Sequence, residues 1–411
     1  MSDAEHPAAQ LDLPSPYDRG GKRRGRARRS HTVAKVLLAS VLVLAMVTGL
    51  SVAWFYRHLN GNLIVDNVDD QLSNRPEKVK VEGPKEPLNI LVMGSDTREG
   101  EGNNIDGLTG GGERSDTTIL FHLSADRKTA FGISIPRDSL VDRPECKTED
   151  GDTIPGGTQV MWNEAFAVGG PACTIQQFEQ VTGVRVDNYV KVDFAGFRDM
   201  VDAIDGVEVC IPEDIVDPAH GINIEAGTRE ISGKEALNYV RARYTLGDGS
   251  DIGRIQRQQA FIAAMANEVI SGGTLARPDR LVQFLNAATR SLTTDLENVW
   301  RIAKVGVEFK DIGLKKIQFI TVPWVYSSAQ PGRVEWRPEA AELWEKIAED
   351  KPLGRLRTGA ITAGDKVDGS ESPSGSEGPS TGTSGSPSST PSEQTAEEAE
   401  REAREAAGLC A

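Results

Sequence analysis

Leu88-Asn89-Ile90-Leu91-Val92-Met93-Gly94 is a near-continuous apolar run closed by a glycine, the pattern of a strand covered on both faces. Just past its end stand two charged residues, Asp96 and Arg98. After a glycine-rich loop at 100–112, two further apolar runs at 117–123 and 128–135 flank the turn Ser124-Ala125-Asp126-Arg127 and read as a hairpin. Arg114 and Asp116 precede the first run, and Arg137 and Asp138 follow the second. Antiparallel pairing brings those ends to one edge of the sheet, so three charged clusters converge there.

Further along, helices interleave with strands. Helical spacing covers 172–183 and 194–204, the latter with Asp193 as N-cap, and strands fall at 187–192 and 207–211. A short helix at 233–238 leads into Tyr239-Val240-Arg241-Ala242-Arg243, where extended geometry would set Arg241 and Arg243 on one face. From 251 to 271 a helix carries Ile255, Ile262, Met265 and Val269 as a core stripe, with Arg254 and Gln258 four apart on another face and Arg257 beside them. Helices at 281–288, 299–307 and 339–349 and a strand at 316–322 complete the pattern. It predicts an α/β fold: an α/β/α layered sandwich with a mixed central sheet, preceded by one transmembrane helix.

That helix is read from 36–56, 21 residues without a charge, about the length needed to cross the hydrocarbon core. Lys22-Arg23-Arg24-Gly25-Arg26-Ala27-Arg28-Arg29 precedes it, so the positive-inside bias puts the N-terminus in the cytoplasm and the rest outside. A cleaved signal peptide is the rival, but Trp54-Phe55-Tyr56-Arg57-His58 reads as an interfacial anchor, not as a small-residue cleavage site. Beside a span, orientation and anionic lipid explain the basic run, and nucleic acid is not expected as a partner. The expected segments are a basic cytoplasmic stretch (1–32), the span (33–56), a polar stem (57–86), a catalytic domain (87–350) and a disordered Gly/Ser/Pro/Glu-rich tail (360–411).

The chain carries 46 Lys and Arg against 61 Asp and Glu. With the N-terminal segment (net +3) and the tail (net −7) set aside from −15, residues 33–359 remain at −11. An acidic domain whose arginines nevertheless gather suggests a focused anion pocket, not a broad basic surface. Arginine beside carboxylates at element ends suits a multiply charged anion held with a divalent metal, and the natural ligand class is pyrophosphate. Gly110-Gly111-Gly112 opens no helix in a phosphate-loop or dinucleotide pattern and reads as a flexible lid. Of four cysteines, Cys146 and Cys173 flank a loop with little core and are expected to pair, whereas Cys210 is expected as a buried thiol.

Arg114-Ser115-Asp116-Thr117, Ile135-Pro136-Arg137-Asp138, Tyr239-Val240-Arg241-Ala242-Arg243 and Asp251-Ile252-Gly253-Arg254-Ile255-Gln256-Arg257-Gln258-Gln259, in that order behind one span, resemble the LytR-CpsA-Psr family over about residues 87–350. The resemblance implies an extracytoplasmic phosphotransferase that moves a cell-wall glycopolymer from a polyprenyl pyrophosphate carrier to a peptidoglycan sugar hydroxyl, forming a phosphodiester. It implies Mg²⁺ (or Mn²⁺) on Asp96 and Asp116, catalytic Arg98, Arg114, Arg137, Arg241 and Arg243, and substrate contacts from Arg254, Arg257, Gln258 and Asp138. Asp138 is read first as a structural partner of Arg137 and second as a proton acceptor. Two features depart from the family: a longer, more glycine-rich loop between Asp96 and Arg114, and a tail where some relatives carry a second domain. A non-catalytic carrier-binding regulator and a phosphatase acting on the same carrier are the alternatives.

Overall fold

The computed structural model describes residues 32–98, 103, 113–218, 221–242, 250–271, 273–274, 277–365, 401, 404 and 409–410. The basic N-terminal stretch, the glycine-rich loop expected as a lid except Asn103, Arg243 and nearly all of the tail lie outside the described residues. Helix α1 (Thr32–Asn62) is long and apolar enough to cross a membrane. It runs six residues past Tyr56, and its last turns belong to the folded domain, where Leu59 is 3% exposed.

Eight strands form the central sheet: β1 (Ile64–Val65), β2 (Leu88–Ser95), β3 (Ser115–Leu123), β4 (Ala130–Ile135), β5 (Asn188–Val192), β6 (Leu292–Thr294), β7 (Ile317–Thr321) and β8 (Ile361–Thr362). Their order is β1-β6-β5-β2-β3-β4-β7-β8. The β2/β3/β4 meander is antiparallel, β5 lies parallel to β2, and β7 lies parallel to β4, so the sheet is mixed. Among the described residues, the helices after α1 are α2 (Glu164–Thr182), α3 (Phe194–Ala203), α4 (Gly233–Arg241), α5 (Asp251–Ile270), α6 (Pro278–Ser291), α7 (Val299–Ile312) and α8 (Glu339–Ala348), of which α4 packs on α3, α5 and small strand pairs outside the central sheet.

Strand alternation divides the apolar side chains between two layers. Leu91, Met93, Leu120 and Ile133 face Phe166 and Phe178 of α2 and Leu343, Trp344 and Ile347 of α8. On the other face Leu123, Ala130 and Phe319 meet Ala263 of α5 and Ile312 of α7, while Met200 of α3 and Ala288 of α6 pack near the β6 edge. Helix α2 is two helical pieces joined at Gly169 and Gly170, the latter at φ +59°, with Pro171 opening the second piece. Cys146 and Cys173 are disulfide-bonded across the loop before it, with Cα atoms 5.4 Å apart.

Two boundaries and one cysteine differ from expectation. The segment expected as a stem is part of the domain: Leu63 and Val68 are buried, β1 joins the sheet, and Arg75 forms a salt bridge to Glu179 at 2.7 Å. The tail begins later than 360, because β8 pairs with β7 through Phe319↔Ile361 and Ala363 is buried. Cys210 is not a thiol; it is disulfide-bonded to Cys410 with a Cα separation of 5.9 Å, and Leu409 is 7% exposed. In each case a few apolar side chains far apart in sequence find cover, a signal that local composition does not carry.

Gly132 on β4 pairs with Phe121 on one side and Phe319 on the other, and those two rings meet edge to face with centroids 5.9 Å apart. A Cβ at this position would lie 2.5 Å from the Phe319 ring, which is 1% exposed and cannot swing away. Gly132→Ala is therefore expected to destabilise the domain by about 1–3 kcal/mol through overpacking. A thermal melt is the check, and an unchanged Tm would show that the sheet relaxes around the methyl group.

Candidate active site at the edge of the central sheet

The antiparallel meander sets the C-terminal ends of β2 and β4 beside the N-terminal start of β3. Asp116 therefore lies within β3, while Arg137 and Asp138 stand in the loop after β4. That loop is held from both sides. Ser139 N donates to the Pro136 carbonyl at 3.1 Å, and Trp162 N and Asn163 N donate to the Ser139 and Arg137 carbonyls at 2.8 and 3.2 Å.

Helix α5 arrives at the same edge with its first turn. Ser250 caps it by accepting from Gly253 N at 3.0 Å, and Asp251 sits in that turn, where a negative charge complements the helix dipole. Gln259 anchors the helix to the sheet: its Nε2 donates to Ser134 Oγ and to the Ile320 carbonyl, both at 2.9 Å.

The charged groups interlock. Arg137 Nη1 donates to Asp116 Oδ1 at 2.6 Å, and Arg137 Nε lies 3.1 Å from Asp251 Oδ1 and 3.6 Å from Asp138 Oδ2. Arg254, 2% exposed, reaches Asp251 Oδ1 at 2.6 Å and Asp116 Oδ2 at 3.7 Å. Arg137 Nε and both Asp251 oxygens are buried without an aligned hydrogen bond, so the contact between them is coulombic, not directional. Burial opposes the charge on Arg137, yet Asp251, Asp116 and Asp138 together raise its pKa. Asp138 is also held by Arg333 at 2.9 Å, which is a structural partnership on both sides.

Asp96 closes the ladder between β2 and β3. Its N donates to the Arg114 carbonyl at 2.9 Å, and its Oδ1 accepts from Arg114 N at 2.6 Å. Burial pushes the Asp96 carboxyl up. The charge of Asp116 pushes the same way, against the hydrogen bond from Arg114 and the charges of Arg114 and Arg98. These four residues therefore sense one another electrostatically across the sheet edge. Arg254 is buried and Arg137 half-buried, both paired with carboxylates, while half-buried Arg98 and exposed Arg114 act on the Asp96 carboxylate. Arg114 is the cation of this edge most open to solvent.

Other expected site residues take different places. Arg241 ends α4, with its guanidinium 4.5 Å above the Phe194 ring. The extended geometry expected from Tyr239 on does not hold for 239–241: α4 continues through Arg241, and Ala236, Leu237 and Val240 are buried along it. Arg243 lies outside the described residues. Arg257 is 1% exposed and donates to the Ala242 carbonyl. Its charge acts on buried Tyr239, whose phenol burial pushes up to about 12. Burial this deep makes Arg257 a support for the turn after α4, not a direct ligand. Gln258 ties elements together: its Oε1 accepts from Thr117 Oγ1 and its Nε2 donates to the Val240 carbonyl, both at 3.2 Å. Asp251 was not expected in the site at all. The signal was available, since a carboxylate three residues before Arg254 shares its helix face.

Comparison with known proteins gives the family. Cell wall biosynthesis protein LcpA of Corynebacterium glutamicum is 31% identical over 258 residues, covering 57% of this chain and 49% of that protein. The chain thus spans about half the length of the corynebacterial relatives it matches. Polyisoprenyl-teichoic acid--peptidoglycan teichoic acid transferase TagV of Bacillus subtilis is 30% identical, covering 61% of each. A solved LytR-Csp2A-Psr enzyme from Actinomyces oris shares the fold with a TM-score of 0.50 at 22% identity, over 67% of this chain and 97% of that one. Residues 56–349, well over half of the sequence, match the LytR_cpsA_psr family, and the chain belongs to that family.

Proposed function

We propose that this chain is a membrane-anchored phosphotransferase that moves a cell-wall glycopolymer from a polyprenyl pyrophosphate carrier to a peptidoglycan sugar hydroxyl. The observation that carries this reading is the interlocked cluster of Arg137 and Arg254 with Asp116 and Asp251, set beside half-buried Arg98 and exposed Arg114. Guanidiniums held in place before the substrate arrives stabilise charge on a transferring phosphoryl group without reorganising. The sugar oxygen bonds to the phosphorus that carries the polymer, the bridging P–O bond breaks, and polyprenyl phosphate leaves. One P–O bond is made, one is broken and one proton is released. The printed name of the Bacillus relative, with a polyisoprenyl donor and a peptidoglycan acceptor, supports the same pairing of substrates.

Asp96 and Asp116 would hold a divalent ion. Among the described residues no group of three His, Cys, Asp or Glu side chains is arranged for a metal. Two neighbouring carboxylates nevertheless suit Mg²⁺ or Mn²⁺, because Mg²⁺ is commonly bound by one or two carboxylates together with substrate phosphates and water. Such an ion neutralises charge on the pyrophosphate. For location, the reading is a single-pass protein with the basic residues 22–29 in the cytoplasm and the domain outside. Two disulfides accord with an oxidising compartment.

With the full chain in detergent, Arg137→Ala is expected to lower the transfer rate about 10²–10³-fold, as loss of one preorganised donor does. Full activity in that variant would remove the clamp from the mechanism. Analysis of the wild-type products separates the alternatives: wall-linked polymer marks the transferase, free phosphorylated glycan a phosphatase, and carrier binding with no product a regulator. A chelator is expected to stop transfer and added Mg²⁺ to restore it; activity that survives chelation would end the metal assignment. Asp251→Ala takes the shared counter-charge from half-buried Arg137 and buried Arg254. The expected loss of stability is about 2 kcal/mol, below that of a fully buried pair because Asp116 remains as a partner. Chemical denaturation of the variant measures it.

A further inference from the structure

A cavity of 620 Å³ is lined by the strand that begins at Leu140, three residues after Arg137. Its lining includes Asp142, Gln159, Gln180, Glu335 and Trp336. The cavity is tied to the cluster through the hairpin of Trp324–Tyr326 and Val334–Trp336. Val334 N donates to the Asp138 carbonyl at 3.2 Å, Arg333 pairs with the Asp138 carboxylate at 2.9 Å, and Trp336 Nε1 donates to Ser139 Oγ at 3.0 Å. A ligand seated here would lie one short loop from Arg137.

The chemistry of the two sites is opposite. Among the described residues, the basic one lining the cavity is Arg143, which is committed to Glu164 at 2.6 Å and to the Pro155 carbonyl at 3.0 Å. Asp142 and Glu335 leave the lining acidic, so a phosphate-bearing ligand is repelled from it. Two amide side chains and two carboxylates around a half-exposed indole are instead what a neutral polyol needs: donors and acceptors for its hydroxyls and a π face for its C–H groups. The indole is fixed from behind by Trp162 and Trp344, at centroid distances of 5.9 and 5.8 Å. Gln159 holds φ at +52°, an uncommon conformation for a side-chain-bearing residue, with its N bonded to Asp142 Oδ1 at 3.0 Å. The same hairpin presents a second aromatic surface, where Trp324 meets Tyr326 edge to face at 4.9 Å and Tyr326 is 57% exposed.

Building on the transferase reading above, we propose that this cavity and the aromatic hairpin bind the acceptor, a neutral N-acetylhexosamine glycan strand. The strand would lie along the hairpin and present a hydroxyl toward Arg137. The uncharged sugars of the donor share this chemistry, so the test must tell the two sources apart.

The experiment uses the full chain in detergent with two principal probes, an N-acetylglucosamine tetramer and a polyprenyl pyrophosphate, a glycan-bearing form of the carrier as a third, and isothermal titration as the readout. Wild type is expected to bind both. Gln180→Ala and Glu335→Ala, chosen because neither side chain supports the core, are expected to weaken the tetramer by about tenfold or more and to leave the carrier unchanged. Arg137→Ala is expected to do the reverse. Wild type that ignores the tetramer, or cavity variants that bind it normally, would overturn the proposal. So would cavity variants that weaken a glycan-bearing carrier as much as the tetramer, which would give the cavity to the donor. Tetramer binding that depends on the cavity in a protein with no transfer activity would keep the glycan site while ending the transferase reading.

Discussion

Two guanidinium groups taken almost out of water at the edge of a sheet impose the arrangement of everything around them. Arg254 is 2% exposed and the Arg137 side chain 15%, and a charge so placed is tolerated only with partners close by. Those partners come from three separate elements: Asp116 from β3, Asp138 from the loop after β4 and Asp251 from the first turn of α5. Satisfying the arginines therefore locks the meander to the helix. Gln258 and Gln259, on the same helix, add neutral hydrogen bonds to β3, α4, β4 and β7. The outcome is a rigid frame whose own charges nearly cancel, with exposed Arg114 at its rim.

Much of the fold was legible because its central strands announce themselves locally. The run from Leu88 to Met93, the Ser124–Arg127 turn and the Ile255/Ile262 stripe each report burial through spacing alone. What escaped is held by contacts far apart in sequence. Strands of two or three residues such as β1 and β8 carry no periodicity, and they exist because Thr293 and Phe319 offer them an edge. The same reason explains the stem that proved to be part of the domain, where buried Leu63 and Val68 are isolated apolar residues in a polar stretch.

The site was legible in its residue types and less so in their roles. Arginines near carboxylates could be read from the chain, but which of them end up solvated depends on helix phase. Arg254 and Arg257 are three apart on α5 and both buried, yet one joins the carboxylate cluster and the other bonds the Ala242 carbonyl. Asp251 is a helix-starting carboxylate, the natural complement to a buried arginine one turn on, a role that its residue type alone does not reveal. The cavity beside Trp336 gave no warning, since its walls come from segments nearly 200 residues apart.

The Cys210–Cys410 bond changes the topology of the last part of the chain. Both ends of the stretch between Asp365 and Leu409 are fixed to the domain, one through β8 and the other through the ribbon formed by Val207–Ile211 and Gly227–Ile231. The covalent ring that this bond closes runs from Cys210 to Cys410. Cut once within that ring, the chain keeps both fragments linked, and only reduction separates them covalently.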